Sequence, residues 1–294
     1  MTILFPNDPL NPSRPDPDYA DEFTAAREVG LRCELFSLES LRAGDPKAAA
    51  ERCSPARVPG EMLTHRCWMM SDHLYAALSK ELHAKDYAPA VSPAAYAEAH
   101  YLPLAYRHLE GRTPKSIWME GKDEDAAWKL LQELGGGDAI IKDWVKSAKH
   151  RWKDACFLPA EVRLERFREI FQAFLGARGM LFEKGVVLRC FHQLFSQGED
   201  LTGQPLHEEY RMFFWKGKLL AATPPTDGTG PFPALLEWEE IAQRFASPFI
   251  TLDVAREESG GWLIIEAGDA GVSGLPVSIS AHDLYTALTA RVIP

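Results

Sequence analysis

The sequence predicts an α/β fold in its N-terminal part and an antiparallel α+β fold in the remainder. Near the N terminus, the strand-like segments ILF (3–5) and LRCELFS (31–37) flank a helical segment at about 19–29. This succession of strand, helix and strand is typical of an open, mostly parallel sheet. Two hairpin patterns, at 209–222 and 249–267, indicate antiparallel pairing closer to the C terminus.

The N-terminal elements are predicted in order along the chain. PNDPLNPSRPDPD (6–18) is predicted to be a loop, because its prolines do not fit inside regular structure. Helices are predicted at about 72–85 and 93–100. HLEGRTPKS (108–116) has the composition of a boundary. We therefore expect an N-terminal α/β domain over residues 1–110 and a second domain over 111–294.

The second part carries a different pattern. DAIIKDWVKS (138–147) begins like a strand, and GVVLRCFHQLF (185–195) is a strong strand candidate. AEVRLERFREIFQAFL (160–175) is predicted to be helical, and the apolar positions that share one face of it are Leu164, Phe167, Phe171 and Phe174. In the hairpin at 209–222, the turn is predicted at Lys216-Gly217.

Composition narrows the class of protein. The 294 residues carry a formal net charge of -10, which argues against nucleic acid or an anionic membrane as a partner. No segment resembles a signal peptide or a membrane span. We expect a cytoplasmic protein whose scattered cysteines are free thiols: Cys33, Cys53, Cys67, Cys156 and Cys190.

The last hairpin carries a pair of acidic residues. If its turn is centred between Ser259 and Gly260, Asp253 lies opposite Glu266, with Cβ atoms about 4.5–5.5 Å apart. Facing carboxylates repel unless a proton, a base or a cation lies between them. Oxygen ligands of this kind suit Mg²⁺ bound to substrate phosphates, and Asp269 is a further candidate ligand. The alternative is a solvated face on which these acids pair with lysines.

Basic residues that could meet phosphate form three groups. Lys142 and Lys146 would share a face whether their segment is extended or helical. Arg189 lies within an apolar strand, and Arg211 shares a strand face with Glu209. Arginine suits phosphate oxygens through its fork of donors. The alternatives are a solvated basic face for the lysines and ion pairs with nearby glutamates for the arginines.

The order of these features resembles the ATP-grasp superfamily, and within it a divergent clade of small proteins found in bacteria and their viruses. The resemblance is carried by a strand lysine followed by a basic loop, then VVLRCF, EYRMFFWKGK, and LDVAR…WLIIEAGD…VSGLP. It extends to FPNDPLNPSRPDPDYADEF and HYLPLAYRHLEGRTPKSIW. The resemblance implies a two-lobed nucleotide clamp, with a lysine-bearing lobe at about 111–184 and a metal-binding lobe at about 185–294.

The resemblance also implies roles for the nucleotide-binding residues. Lys142 and Lys146 would bind ATP phosphates, and Arg211 would reach phosphate or the reacting carboxylate. Lys146 and Arg211 would thereby take part in catalysis. The hinge strand that borders adenine would comprise Arg189, Cys190 and Phe191. Cys190 stands where the clade has glutamate.

For the metal, the resemblance implies that Asp253 and Glu266 hold Mg²⁺. Asp269 stands near the position of the usual third ligand. The superfamily places an asparagine two residues after the strand glutamate, whereas this sequence has Gly268 there and Asp269 one residue later.

The resulting hypothesis is an ATP- and Mg²⁺-dependent ligase that joins a carboxylate to an amine through an acyl phosphate, with small-molecule or peptide substrates. Such chemistry needs alignment and charge neutralisation more than a protein nucleophile, and the sequence contains no nucleophile motif. Three alternatives stay open: a kinase-like phosphotransferase, a non-catalytic nucleotide-binding protein of the same fold, and a structural α/β protein with solvated charges.

Overall fold

The computed structural model describes residues 1–199, 205–224 and 235–292. The strands in this part of the chain are β1 (Thr2–Pro6), β2 (Arg32–Phe36), β3 (Glu61–His65), β4 (Tyr87–Pro89), β5 (Ser116–Glu120), β6 (Ala139–Asp143), β7 (Phe157–Leu158), β8 (Gly185–Cys190), β9 (Ser196–Glu199), β10 (Pro205–His207), β11 (Glu209–Trp215), β12 (Lys218–Ala222), β13 (Phe249–Arg256) and β14 (Trp262–Asp269). The α-helices there are α1 (Ala20–Glu28), α2 (Leu38–Arg42), α3 (Pro46–Ala50), α4 (Asp72–His83), α5 (Pro93–His100), α6 (Leu102–Leu109), α7 (Glu124–Glu133), α8 (Trp152–Ala155), α9 (Leu164–Arg178), α10 (Leu235–Ala242) and α11 (Ala281–Val292). None of these helices is both long and apolar enough to cross a bilayer.

The predicted parallel sheet near the N terminus is present. Its strand order is β2-β1-β3-β4, and each pairing is parallel. The central strand β1 is buried along its whole length, since its two faces pack on helices, as in other sheets of this kind. The prediction missed β3 and β4, which are short and carry polar residues.

A second sheet has the order β12-β11-β13-β14, and it contains both predicted hairpins. The turn between β11 and β12 falls at Lys216-Gly217, as predicted, with φ values of 48° and 74°. Positive φ at both central residues defines the type I′ turn, whose twist matches that of the flanking strands.

A third sheet has the order β5-β8-β6-β7, and its pairings are antiparallel. Helix α9 packs on it through Phe167, Phe171 and Phe174, which are fully buried, while Leu164 is only partly buried. The predicted face of this helix is therefore the face that meets the core. Strand β8 ends at Cys190, five residues before the predicted end.

The chain forms two compact units. The first comprises Met1–Ala99, Glu209–Val254 and Glu266–Pro294, and the second comprises His100–Glu208 and Ala255–Ile265. The predicted domains 1–110 and 111–294 stay a prediction, because a compact unit need not fold alone.

The cores of the two units have different origins. In the first unit, apolar side chains from β1 and α11 belong to one cluster, although they lie far apart in sequence. The core of the second unit comes from α7, α9 and the β5-β8-β6-β7 sheet. All five cysteines are free thiols, as expected.

Candidate nucleotide and metal site

In the second unit, the two predicted phosphate-binding lysines flank a tight turn that follows β6. The carboxylate of Asp143 accepts hydrogen bonds from the amides of Val145 (2.7 Å) and Lys146 (2.6 Å), and the Asp143 amide donates to the carbonyl of Lys146 (2.9 Å). Arg178 donates to the other carboxylate oxygen of Asp143 at 2.6 Å. A buried, paired aspartate therefore shapes the backbone that carries the lysines.

The geometry differs from both conformations considered for this segment. The strand ends at Asp143, and an isolated antiparallel bridge joins Lys142 to Ser147 across the turn. Lys142 is 8% exposed, and its ammonium donates to the carbonyl of Val145 at 2.9 Å. Lys146 is partly buried. A turn thus brings the two lysines to the same end of β6, which neither an extended chain nor a helix would do.

Next to the predicted hinge lies a group of aromatic rings. The ring of Phe191 lies 5.6 Å from Trp152 and 5.5 Å from Phe157, and the latter two stack at 5.3 Å, all between centroids. The backbone amide of Cys190 donates to the carbonyl of Lys115 at 2.8 Å, which holds the end of β8 in place. The sequence analysis missed Trp152 and Phe157; alternating aromatic and basic residues in HRWKDACF were the available signal.

Arg189 is buried and its guanidinium bonds protein oxygens. It donates to the hydroxyl of Thr113 (2.7 Å) and to the carbonyls of Ile264 (3.0 Å) and Ile265 (2.9 Å). Thr113 itself donates to the Ile264 carbonyl at 2.7 Å. These bonds tie β8 to the strand residues directly before Glu266, so Arg189 fixes the backbone that leads to a candidate metal ligand.

In the first unit, Arg211 on β11 is paired with Asp253 on the neighbouring strand β13. Its Nε and Nη2 donate to the two carboxylate oxygens at 2.8 and 2.6 Å, and Nη1 reaches the carbonyl of Gly274 at 3.2 Å. The hydrogen bonds to Asp253 are the main cause that raises the pKa of Arg211, and Glu266 contributes to the same shift. Glu209, which the sequence suggested as the partner, is not the carboxylate bonded to Arg211.

The predicted register of the last hairpin fits the hydrogen bonding at its base. The amide of Ala270 donates to the carbonyl of Phe249 at 3.1 Å, and the register that pairs these two residues also pairs Asp253 with Glu266. Asp253 is 4% exposed. The two carboxylates therefore belong to one face of the hairpin, with Arg211 beside them.

Asp269 takes a different position from the one predicted. It is fully buried, and its carboxylate accepts a hydrogen bond from the amide of Gly271 (2.8 Å). His65 lies 3.3 Å from one of its oxygens and the Ser247 hydroxyl 3.4 Å from the other. Because side chains alternate along a strand, Asp269 leaves β14 on the face opposite Glu266. Its expected place as third metal ligand is corrected accordingly.

A buried arginine that the sequence analysis missed supports the loop after β14. Arg66 pairs with Glu22 through two hydrogen bonds of 2.8 and 2.7 Å, and it also donates to the carbonyls of Ala270 and Ser273. The hydroxyl of Tyr285 donates to Glu22 at 2.8 Å. This buried network fixes the loop whose next carbonyl, that of Gly274, is bonded by Arg211.

The side chains in the first unit fit Mg²⁺ with two protein ligands rather than three. Asp253 and Glu266 supply hard carboxylate oxygens on one face, and Mg²⁺ usually takes one or two carboxylates together with phosphates and waters. Among the described residues, no three His, Cys, Asp or Glu side chains are grouped so that they could hold a metal ion.

The fold and this arrangement of basic and acidic residues define an ATP-grasp protein. The model of an ATP-grasp domain, family 3 of its clade, matches residues 133–289, which is more than half of the chain and contains every predicted site residue. The chain therefore belongs to this ATP-grasp family.

Solved structures share the fold over nearly the whole chain. The RimK domain protein ATP-grasp from Sphaerobacter thermophilus DSM 20745 has 13% identity and a TM-score of 0.59, with 100% of both chains covered. D-cycloserine synthetase DcsG has 13% identity and a TM-score of 0.59, with 99% of both chains covered. The ATP-grasp ligase PsnB, complexed with precursor peptide PsnA2 and AMPPNP, has 13% identity and a TM-score of 0.56, with 99% of this chain and 96% of that chain covered. No curated protein matches the sequence.

Proposed function

We propose that the protein is an ATP- and Mg²⁺-dependent ligase that joins a carboxylate to an amine through an acyl phosphate. The observation that carries the proposal is the grouping of Arg211, Asp253 and Glu266 beside the carbonyl of Gly274. A metal-binding acid pair next to an arginine suits the handling of a phosphoryl group and a carboxylate. Similarity to a cycloserine synthetase and a peptide ligase supports the class of reaction.

The proposed reaction has two steps. An oxygen of the substrate carboxylate attacks the γ-phosphorus of ATP, the bond to the β–γ bridging oxygen breaks, and ADP leaves. The amine nitrogen then attacks the acyl carbon of the acyl phosphate, inorganic phosphate leaves, and the amine loses a proton. Neither step requires a covalent bond to the protein, so the residues act by position and charge.

The residues take the following roles in this proposal. Lys146, held by the Asp143 turn, and Lys142 bind the ATP phosphates, while Phe191 and its aromatic neighbours form an apolar surface for adenine. Arg211 faces the phosphoryl group in transfer. Asp253 and Glu266 hold Mg²⁺, which when bound neutralises charge on the phosphates.

The decisive experiment measures ADP release with panels of acids and amines, offered singly and together. We expect release to require both an acid and an amine. Asp253→Asn should lower kcat/KM by about a hundredfold or more, because several kcal/mol of transition-state stabilisation depend on the metal. The matched control is Asp283→Asn, on an exposed acid of α11, and it should leave the rate unchanged.

Other outcomes separate the alternatives. Hydrolysis of ATP that no acid and amine pair stimulates, with Asp253→Asn no slower, would contradict the ligase. Phosphate found on a stable product would favour a phosphotransferase. Nucleotide binding that is independent of Mg²⁺ and followed by no turnover would favour a binding module.

A further inference from the structure

The first unit contains a cavity at the carboxyl edge of the parallel sheet. Its volume is about 130 Å³, and its walls come from the segments that follow β1, β2 and β3. The polar and aromatic residues of the wall that matter for binding are Asn7, Asp16, Ser37, Glu39, Arg42 and Trp68.

The position of the cavity in the sheet is a favoured one for ligands. In the order β2-β1-β3-β4, the chain moves from β1 to one side and then crosses to the other side for β3. The loops after neighbouring strands therefore diverge at β1 and leave a crevice outside the carboxyl ends. Open α/β sheets bind small ligands at this kind of point.

The wall carries both signs of charge. Arg42 is exposed, and its guanidinium reaches the carbonyl of Met69 at 3.5 Å, which uses one of its five donor hydrogens. Glu39 is exposed on the same short helix, one turn before Arg42. The carboxylate of Asp16 accepts from the indole nitrogen of Trp68 at 3.1 Å, so it is oriented by the ring that forms another part of the wall.

The cavity is adjacent in the structure to the loop beside Arg211. The segment after β3 touches that loop twice, since the amide of Cys67 donates to the carbonyl of Gly271 at 2.7 Å and Arg66 donates to the carbonyl of Ser273 at 2.6 Å. Trp68, the next residue, lines the cavity. One short segment therefore joins the cavity wall to the loop that Arg211 contacts at Gly274.

We propose that this cavity binds a free α-amino acid, with its carboxylate on Arg42 and its ammonium on Glu39 and Asp16. The inference rests on the proposed function, because it names the chemical class of one of the two ligase substrates. A zwitterion matches a wall with one guanidinium and two carboxylates. The volume is well below that of pockets for drug-sized ligands, about 300 Å³ or more, and so suits a small amino acid.

The experiment titrates the full chain, in the absence of ATP, with a panel of L-amino acids by calorimetry. For an amino acid that binds, two analogues are titrated as well: the α-carboxamide, which lacks the carboxylate, and the N-acetyl derivative, which lacks the ammonium. Arg42→Gln should weaken amino-acid binding about tenfold or more and leave carboxamide binding unchanged, because the lost bond is charge-assisted. Glu39→Gln should weaken amino-acid binding and leave N-acetyl derivative binding unchanged.

Matched controls lie on the same unit away from the cavity. Arg52→Gln and Glu51→Gln alter exposed residues and should leave every affinity unchanged. The inference is overturned if no amino acid binds at millimolar concentration, or if Arg42→Gln affects the amino acid and its carboxamide equally.

The outcomes also separate this inference from the proposed function. ADP release that needs an acid and an amine, with unchanged KM for both in Arg42→Gln, would overturn the cavity assignment and leave the ligase intact. Amino-acid binding that Arg42→Gln abolishes, without any ATP turnover, would support the cavity and contradict the ligase.

Discussion

At the scale of single residues, two acids on β14 have opposite surroundings. Glu266 shares a face with Asp253 and lies near Arg211, whereas Asp269 is enclosed by protein groups that include His65 and the Gly271 amide. A carboxylate that already accepts such bonds stabilises the local structure and has few lone pairs left for a metal. The alternation of side chains along the strand explains why only one of the two reaches the Asp253 side.

This difference gives a paired prediction. Asp269→Asn should lower the free energy of unfolding by about 1–3 kcal/mol, because a buried charged acceptor loses its bonds, and should leave the Mg²⁺ dependence of ATP turnover unchanged. Glu266→Gln should do the reverse, weakening the Mg²⁺ dependence with little effect on stability. Urea unfolding and Mg²⁺ titrations of the rate measure both. An equal shift of Mg²⁺ dependence in the two variants would restore Asp269 as a ligand.

Arg66 gives a second prediction at this scale. Burial disfavours its charged form, but Glu22 outweighs this effect and the pKa of Arg66 is raised. Arg66→Met should therefore destabilise the protein by about 3–5 kcal/mol, since it leaves Glu22 buried without its partner.

Two further variants test whether the pair acts as a unit. Arg66→Met combined with Glu22→Gln should cost less than the sum of the single changes, because each single change leaves a buried group uncompensated. Arg52→Met, on an exposed arginine, should shift the urea midpoint little. Additive costs in the double variant would show that Arg66 and Glu22 do not depend on each other.

At the scale of elements, the turns mark how far the sequence could be interpreted. Lys216-Gly217 was predictable because glycine at a positive φ between two strand patterns is a local signal. The turn after β6 was not, because it depends on Asp143 being buried and paired with Arg178, thirty-five residues later. For the same reason Arg66 and Trp152 escaped notice: their partners are distant in sequence, and only the folded chain brings them together.

Two glycines of the second unit test the packing of an element directly. An added Cβ on Gly185, at the start of β8, would lie 2.0 Å from the carbonyl oxygen of Met119 and 2.7 Å from the indole nitrogen of Trp144. Because the first of these is backbone, Gly185→Ala should cost about 1–3 kcal/mol. Gly176, inside α9, has nothing within 4 Å of that position. Gly176→Ala should stabilise by about 0.5–1 kcal/mol.

The measurement is the urea midpoint of each variant, at unchanged slope. If both glycine variants shifted the midpoint in the same direction, the close approach of β8 to Met119 would not be limiting for stability.

At the scale of the whole molecule, the core of the first unit is assembled from three stretches of chain. Ile3 and Phe5 belong to the same apolar cluster as Phe213, Phe249 and Leu288. Periodicity predicted each of these stretches as an element, and the family resemblance predicted their order. Neither could indicate that the N-terminal sheet shares its core with the far end of the chain, because pairing over such distances leaves no local pattern.

A fragment tests the domain boundary expected near residue 110. Residues 1–110 expressed alone would expose the apolar surface that β11, β13 and α11 cover. We therefore expect the fragment to aggregate or to lack a cooperative unfolding transition by circular dichroism, while the full chain shows one. A cooperative transition of the fragment alone would support an independent N-terminal domain at the predicted boundary.

The hydrogen bond from Tyr285 to Glu22 joins helix α11 to helix α1. During synthesis, α1 leaves the ribosome long before α11 is translated, whereas most of the second unit, His100–Glu208, emerges as one uninterrupted stretch. The second unit can thus acquire structure first, although chains commonly fold from the N terminus. The N-terminal sheet must wait with part of its apolar surface uncovered, which makes the nascent chain a client for chaperones until its final helix is made.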